Sequence, residues 1–175
     1  MMKAYNILLS VGKDRPGIVH DVTAVLFEHG ANIEDSRMAA MGGCFSIMTL
    51  FSCSAEQLEA IRAGLEGLRA LGLECSLHEA QDPTGAPHEA ALPLKMEILA
   101  MDHPGIVQRV VGILHGHRVN IESLDTRLQR APLSGAPLFD LELEASVPAE
   151  ASVSQIKAEL SALAGELNLD LTFGH

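Results

Sequence analysis

Asp14-Arg15-Pro16-Gly17-Ile18-Val19 recurs 88 residues later as Asp102-His103-Pro104-Gly105-Ile106-Val107, and this repetition organises the chain. Twice 88 is close to the full length of 175 residues, so two copies of one unit fill it. Held at that offset without gaps, Asn32-Ile33-Glu34 falls on Asn120-Ile121-Glu122, and Val22, Leu26 and His29 fall on Val110, Leu114 and His117. Eleven of the 22 positions from Asp14 to Asp35 are identical. Two unrelated amphipathic helices would match in apolar letters; here the turn residues Asp, Pro, Gly and Asn match as well, which marks a duplication.

Each repeat reads as strand, helix, strand, strand, helix, strand. Tyr5, Ile7, Leu9 and Val11 alternate with smaller or polar residues, the period of a half-buried strand ending by Gly12. Pro16 suits the first turn of a helix, and Asp14 before it can accept the orphan N–H bonds there. Ile18, Val22, Val25, Leu26 and His29 keep helical spacing up to Gly30, and Ile106, Val110, Ile113, Leu114 and His117 repeat the stripe. His29 and His117 fall where a side chain meets the last carbonyls of a helix. A second strand begins at Asn32 and a third covers about Phe45 to Ser52, joined through Gly42-Gly43 as a hairpin turn. The second repeat separates the same strands by a longer loop containing Pro132, Gly135 and Pro137. Ser54 with Gln57, and Ser152 with Gln155, fit capping boxes that open the second helices. Leu58, Ile61, Leu65 and Leu68 form the stripe of one, Ile156, Leu160, Leu163 and Leu167 that of the other. Last strands follow at about Leu73 to His78 and Asn168 to Phe173.

Asp82-Pro83-Thr84-Gly85-Ala86-Pro87 lacks periodicity and places a linker over 81–92, between domains at 1–80 and 93–175. A βαββαβ order with two helices on one face of an antiparallel sheet is an α+β, ferredoxin-like arrangement. The helix-free sheet faces differ. Phe139, Leu141, Leu143 and Ala145 alternate with Asp140, Glu142 and Glu144, so the second repeat keeps that face wet and acidic, with Lys95 offsetting part of the row. Ser46, Met48 and Leu50 leave it largely apolar in the first, which predicts a contact face. Small modules of this size gain by packing on one another, so a homodimer is expected.

The chain carries 12 Lys+Arg against 23 Asp+Glu, a formal charge of −11, and only 3% aromatic residues. Direct nucleic-acid binding needs clustered cations or stacking aromatics and is disfavoured. Cys44, Cys53 and Cys75 form no CxxC pair, no leader precedes the first strand, and no apolar run spans a bilayer; this reads as a cytoplasmic protein without a membrane segment. The cysteines have apolar neighbours and read as small buried hydrophobes. His20, His29, His103, His115 and His117 have neither the spacing nor the companions of a zinc site, so no metal is assigned. P-loop, G-x-G-x-x-G, G-x-S-x-G and H-E-x-x-H patterns are all missing, so neither cofactor nor catalytic residue is assigned.

The candidate ligand-binding residues are Asp14, Pro16, Gly17, Ile18, Asn32 and Ile33, with Asp102, Pro104, Gly105, Ile106, Asn120 and Ile121 in the second copy. Gly17 or Gly105 lets backbone approach a ligand, and the unpaired N–H groups opening the helix suit a carboxylate. Asp14 or Asp102 can meet an ammonium, while the amide of Asn32 or Asn120 can read either group. Together they suit a zwitterion. A purely structural role, with Asp capping, Pro-Gly turning and Asn entering the strand, uses the same residues.

The duplicated D-x-P-G-I-V followed by N-I-E resembles the ACT domain, a ferredoxin-like module that binds amino acids and related metabolites. Two such modules with nothing appended resemble the glycine cleavage system transcriptional repressor family. The resemblance implies a regulator whose effector is an amino acid such as glycine and whose partner is a protein, plausibly a transcription factor. A ligand-independent interaction module and a detached regulatory subunit of a metabolic enzyme share the same fold.

Overall fold

The computed structural model describes residues 3–85, 90–130 and 135–174. It forms two units, Met1–Pro87 and His88–His175. The first unit runs β1 (Ala4–Lys13), α1 (Ile18–Glu28), β2 (Asn32–Met41), β3 (Cys44–Cys53), α2 (Ala55–Ala70) and β4 (Leu73–Ala80); its antiparallel sheet has the order β2-β3-β1-β4. The second runs β5 (Ala91–Met101), α3 (Ile106–Gly116), β6 (Asn120–Arg130), β7 (Pro137–Pro148), α4 (Val153–Leu167) and β8 (Asp170–Phe173), in the order β6-β7-β5-β8. Each is a ferredoxin-like βαββαβ module with both helices on one sheet face. β5 starts inside the stretch read as linker, taking Ala91 and Leu92 into the strand. Asp82 closes a turn before it, accepting from the Thr84 N–H at 2.8 Å and the Thr84 hydroxyl at 2.7 Å. Pro132 lies outside the described residues.

The first strand is buried on the face opposite to the one its alternation suggests. β1 pairs with β3 through Leu8↔Thr49 and Ser10↔Ile47, and the helices cover Asn6, Leu8 and Ser10, at 2%, 0% and 3% exposure. Leu9 and Val11 stand on the open face, 39% and 40% exposed. Strand side chains alternate with a period of two, so the stronger apolar row is buried only if the helices lie on its side. Here α1 presents Ile18, Val22 and Leu26, and α2 presents Ile61, Leu65 and Leu68, to the weaker row.

The register aligns this interior with its copy. Where the first unit has Asn6, Ser10, Thr49, Cys53 and Cys75, the second has Leu94, Ile98, Leu143, Val147 and Leu171. Asn6 Nδ2 lies 4.0 Å from Cys53 Sγ, and Ser10 Oγ lies 3.4 Å from Cys75 Sγ. Thr49, 1% exposed, buries its hydroxyl with no hydrogen-bond partner among the described residues. Phe51, fully buried opposite Asn6, supplies bulk that Ala145 does not. Cys53 and Cys75 are thus packed within the first unit, whereas Cys44, read as buried, is exposed beside the Gly42-Gly43 turn.

The first helices begin later than Pro16 suggests. Gly17 and Gly105, at φ 93° and 99°, are the N-caps, no side chain caps either helix, and Asp14 uses its backbone instead, donating its N–H to the Gly43 carbonyl at 2.9 Å. Only the first capping box closes on both sides, with Gln57 N–H on Ser54 Oγ and Ser54 N–H on Gln57 Oε1. Gln57 also donates to the Gly30 carbonyl, and a Cβ at Gly30 would lie 2.7 Å from its Nε2. The equivalent of Gly30 is Arg118, held at φ 57°, and Gln155, the equivalent of Gln57, donates to Glu159 Oε1 at 3.0 Å instead. Ser152 still accepts from Gln155 N–H at 3.3 Å.

The two helix-end histidines also depart from the expected carbonyl contact. His117 Nε2 reaches Glu159 Oε2 at 3.0 Å on α4 and holds that carboxyl below the ordinary range, while the His29 ring lies against Gly64 of α2.

Replacing Thr49 by Val should raise stability by roughly 1 kcal/mol, because it removes an unpartnered buried hydroxyl at constant shape; a shift of the urea midpoint at unchanged slope checks it. A Cβ at Gly105 or Gly112 would meet nothing within 4 Å, so these sites isolate the backbone. Gly105→Ala should lower stability by about 1–2 kcal/mol at its positive φ, and Gly112→Ala, inside α3, should raise it by about 1 kcal/mol. Thermal unfolding of both variants should move in opposite directions.

Candidate functional site

The repeated motif makes the turn from the first strand into the first helix. Gly17 takes the left-handed conformation, and its carbonyl accepts Asp21 N–H at 2.9 Å; Gly105 and Arg109 repeat this at 3.0 Å. The N–H groups between them open the helix without a side-chain cap, donors at the positive end of a dipole. Ile18 and Ile106 bury their side chains in the two cores, so only their backbone is available to a ligand. The loops differ in their cations. Arg15 donates to the Pro16 carbonyl at 3.3 Å and to Asp21 Oδ2 at 2.7 Å, clasping its own helix. In the second unit His103 takes that place against Pro104 O, and Arg109 forks onto Glu166 of α4 at 2.8 and 2.7 Å, holding that carboxyl below the usual range.

The strand start is the other half of the predicted site. Asn32 and Asn120 open β2 and β6 opposite Ser52 and Ser146. Both strands shift register one residue later, between Ile33 and Asp35 and between Ile121 and Ser123, a bulge that sets Glu34 and Glu122 out of the ladder. Each carboxylate then accepts the hydroxyl of the facing serine, Ser52 Oγ to Glu34 at 2.6 Å and Ser146 Oγ to Glu122. Glu34 also accepts from Asn32 Nδ2 at 3.0 Å, with Lys3 Nζ 3.8 Å away. These bonds, Ser52's first and Asn32's next, hold Glu34 below the usual carboxylate range. Sequence reasoning passed over Glu34, Ser52, Glu122 and Ser146. The identical Glu in both copies of Asn-Ile-Glu was the available signal; the serines become visible only through strand register.

The loop and the strand start do not meet within one unit. Lys13, just before Asp14, pairs with Cys44, whereas Asn32 pairs with Ser52 at the other end of β3. Eight residues of strand at about 3.3 Å each put roughly 26 Å between those levels. In the second unit Asp102 donates its N–H to Pro137 O and Asn120 pairs with Ser146, again at opposite ends. Asp14, Pro16, Gly17 and Ile18 therefore form one half-site and Asn32 and Ile33 another; Asp102, Pro104, Gly105 and Ile106 stand likewise apart from Asn120 and Ile121.

The helix-free faces have opposite character. On the first sheet Ser46, Met48 and Leu50 share a face with Val11, Leu9 and Ile7 of β1, and Met48 is 44% exposed. On the second sheet the row across the strands is Asp125, Glu142 and Glu97, and Lys95 Nζ meets Glu144 at 2.6 Å. Among the described residues no three His, Cys, Asp or Glu side chains are grouped to hold a metal ion, and no helix is long and apolar enough to cross a membrane.

A model of the ACT domain matches residues 7–78, the first unit. The glycine cleavage system transcriptional repressor of Escherichia coli (strain K12) is 31% identical over 166 residues, 94% of this chain and 86% of that protein. The protein of the same name from Shigella flexneri matches equally. A crystal structure of an unknown protein from Galdieria sulphuraria superposes with a TM-score of 0.84 and 28% identity, covering 98% of both chains. The second unit repeats the motif and the fold of the first, so both modules are ACT-like, and the protein is regulatory in kind. The chain belongs to the tandem ACT-domain family of the glycine cleavage system transcriptional repressor.

Proposed function

We propose that the protein is an amino-acid-responsive regulator of transcription that acts through a partner protein and not by touching nucleic acid. The observation that supports this most directly is the uncapped helix start behind a left-handed glycine, built twice from the same D-x-P-G-I-V stretch in a chain similar to a named repressor over nearly its whole length. Such a start suits a carboxylate, and the neighbouring Asp14 or Asp102 suits an ammonium. Glycine is the first effector to test. Because loop and strand start lie at opposite ends of a module, a ligand held by one module touches one half-site and not both. An excess of acidic charge, 23 against 12, favours a protein partner over a phosphate backbone.

A second use of the same fold, ligand-independent assembly, is favoured by the open face that carries Leu9, Val11 and Met48. Isothermal titration with glycine, the other common amino acids and purine or folate-related metabolites separates the two. Heat or a melting shift with one of them is expected; silence with all would overturn the sensor. Combined Asp14→Ala, Asn32→Ala, Asp102→Ala and Asn120→Ala substitution should abolish the response while leaving the fold intact, as circular dichroism would show.

The mass in solution, by light scattering at micromolar concentration, should be twice the 18.7 kDa chain. Met48→Glu places a charge in the middle of the apolar face and should shift that mass toward the single chain and lower the thermal midpoint.

A further inference from the structure

The amide of Asn32 has one orientation in this structure, and Glu34 sets it. A side-chain amide carries two donor hydrogens on nitrogen and an acceptor oxygen, so as a free group it reads a cation and an anion equally well. Asn32 Nδ2 donates to Glu34 Oε1 at 3.0 Å, and Ser52 Oγ donates to the same oxygen at 2.6 Å. Turning the amide over would set two acceptors against each other and forfeit a charge-assisted bond. The bulge after Ile33 is what brings Glu34 back onto Asn32, two residues earlier. The surrounding charge has the same sign: Asp82 acts on Glu34 across this end of the sheet, both act on Tyr5, and Lys3 is the facing cation at 3.8 Å.

We propose that Glu34 is a positioning residue that holds the Asn32 amide by one of its two N–H groups and sets a carboxylate beside the free Oδ1, so that the strand start of the first module attracts the ammonium group of an amino acid and repels its carboxylate. This rests on the sensor function proposed above and assigns the half-site its polarity. The helix start has the opposite polarity, since its exposed groups are N–H donors that suit a carboxylate. The second module provides an internal comparison. Glu122 is bonded to Ser146, but Asn120 makes no side-chain hydrogen bond among the described residues, and Arg118 stands where the first module has Gly30. The second strand start therefore lacks the fixed polarity of the first.

The bond can be followed without a ligand. Side-chain amide signals of Asn32 in the full-length ¹⁵N-labelled protein, identified by their loss in Asn32→Ser, should move as pH falls from 7 to 3. The carboxyl is depressed in the folded protein, so the bond is present at neutral pH and is lost as pH drops through that lowered value. Glu34→Ala should abolish the movement at Asn32 and leave Asn120 unchanged, and Glu34→Gln, which still offers an acceptor, should keep Asn32 near its neutral-pH position. Movement at Asn32 that survives Glu34→Ala would overturn the positioning role.

The second arm uses methylammonium and acetate as separate probes. Methylammonium should shift Asn32 in the wild type and acetate should not, a preference lost in Glu34→Ala. Acetate acting in place of methylammonium would overturn the assigned polarity with the sensor function intact. Neither probe moving Asn32 while its pH response persists would overturn recognition at this position while leaving the Glu34 bond standing, and the titrations with whole amino acids then decide the sensor function separately.

Discussion

The antiparallel register of the first and third strands is the constraint on which each module depends. Leu8 opposite Thr49, and Met96 opposite Leu143, decide which row of side chains lies beneath the helices. A strand has only two faces, so this one choice commits every other residue along it. In the second module it buries an aliphatic set and turns carboxylates outward. In the first it buries Asn6, Ser10 and Thr49 and turns Leu9, Val11 and Met48 outward. Both modules keep the same topology because the helices bring apolar stripes of the same kind to either interior.

That register also divides the functional residues. β1 ascends to the glycine turn and α1 descends from it, so β2 must start at the end of the sheet where β1 started. Motif residues only some fifteen positions apart in sequence become separated by the length of a strand. What looks in sequence like one pocket per repeat is two half-sites per repeat, one of backbone donors and one of side-chain amide and carboxylate.

Duplication has left the half-sites similar but not equivalent. Gly30 allows Gln57 to close over the end of α1, whereas the second module has Arg118 at that position and its Gln155 bonds Glu159, which also receives His117. At the loops, Arg15 closes on Asp21 within its own helix, whereas Arg109, standing at the position of Asp21, ties α3 to α4. Charge has been moved around a conserved backbone.

Much of this was legible beforehand because it depends on local chemistry. Helical stripes, the paired glycines of the hairpin at φ 59° and 81°, the first capping box and the repeat itself are all encoded within a few residues of one another. The boundary at Ile18 was displaced because Gly17 supplies a left-handed cap that competes with Asp14 and Pro16. The buried side of β1 was read in reverse because alternation states that a strand has two unlike faces and not which of them the helices cover. The amino-acid sequence by itself determined the elements, their order and the residues of the motif, since propensity, capping and turn chemistry act over short range. Only the tertiary structure decided which row became the core, that the two halves of the motif lie apart, and that Glu34 and Ser52 meet at a bulge, because each of these follows from pairing between strands distant along the chain.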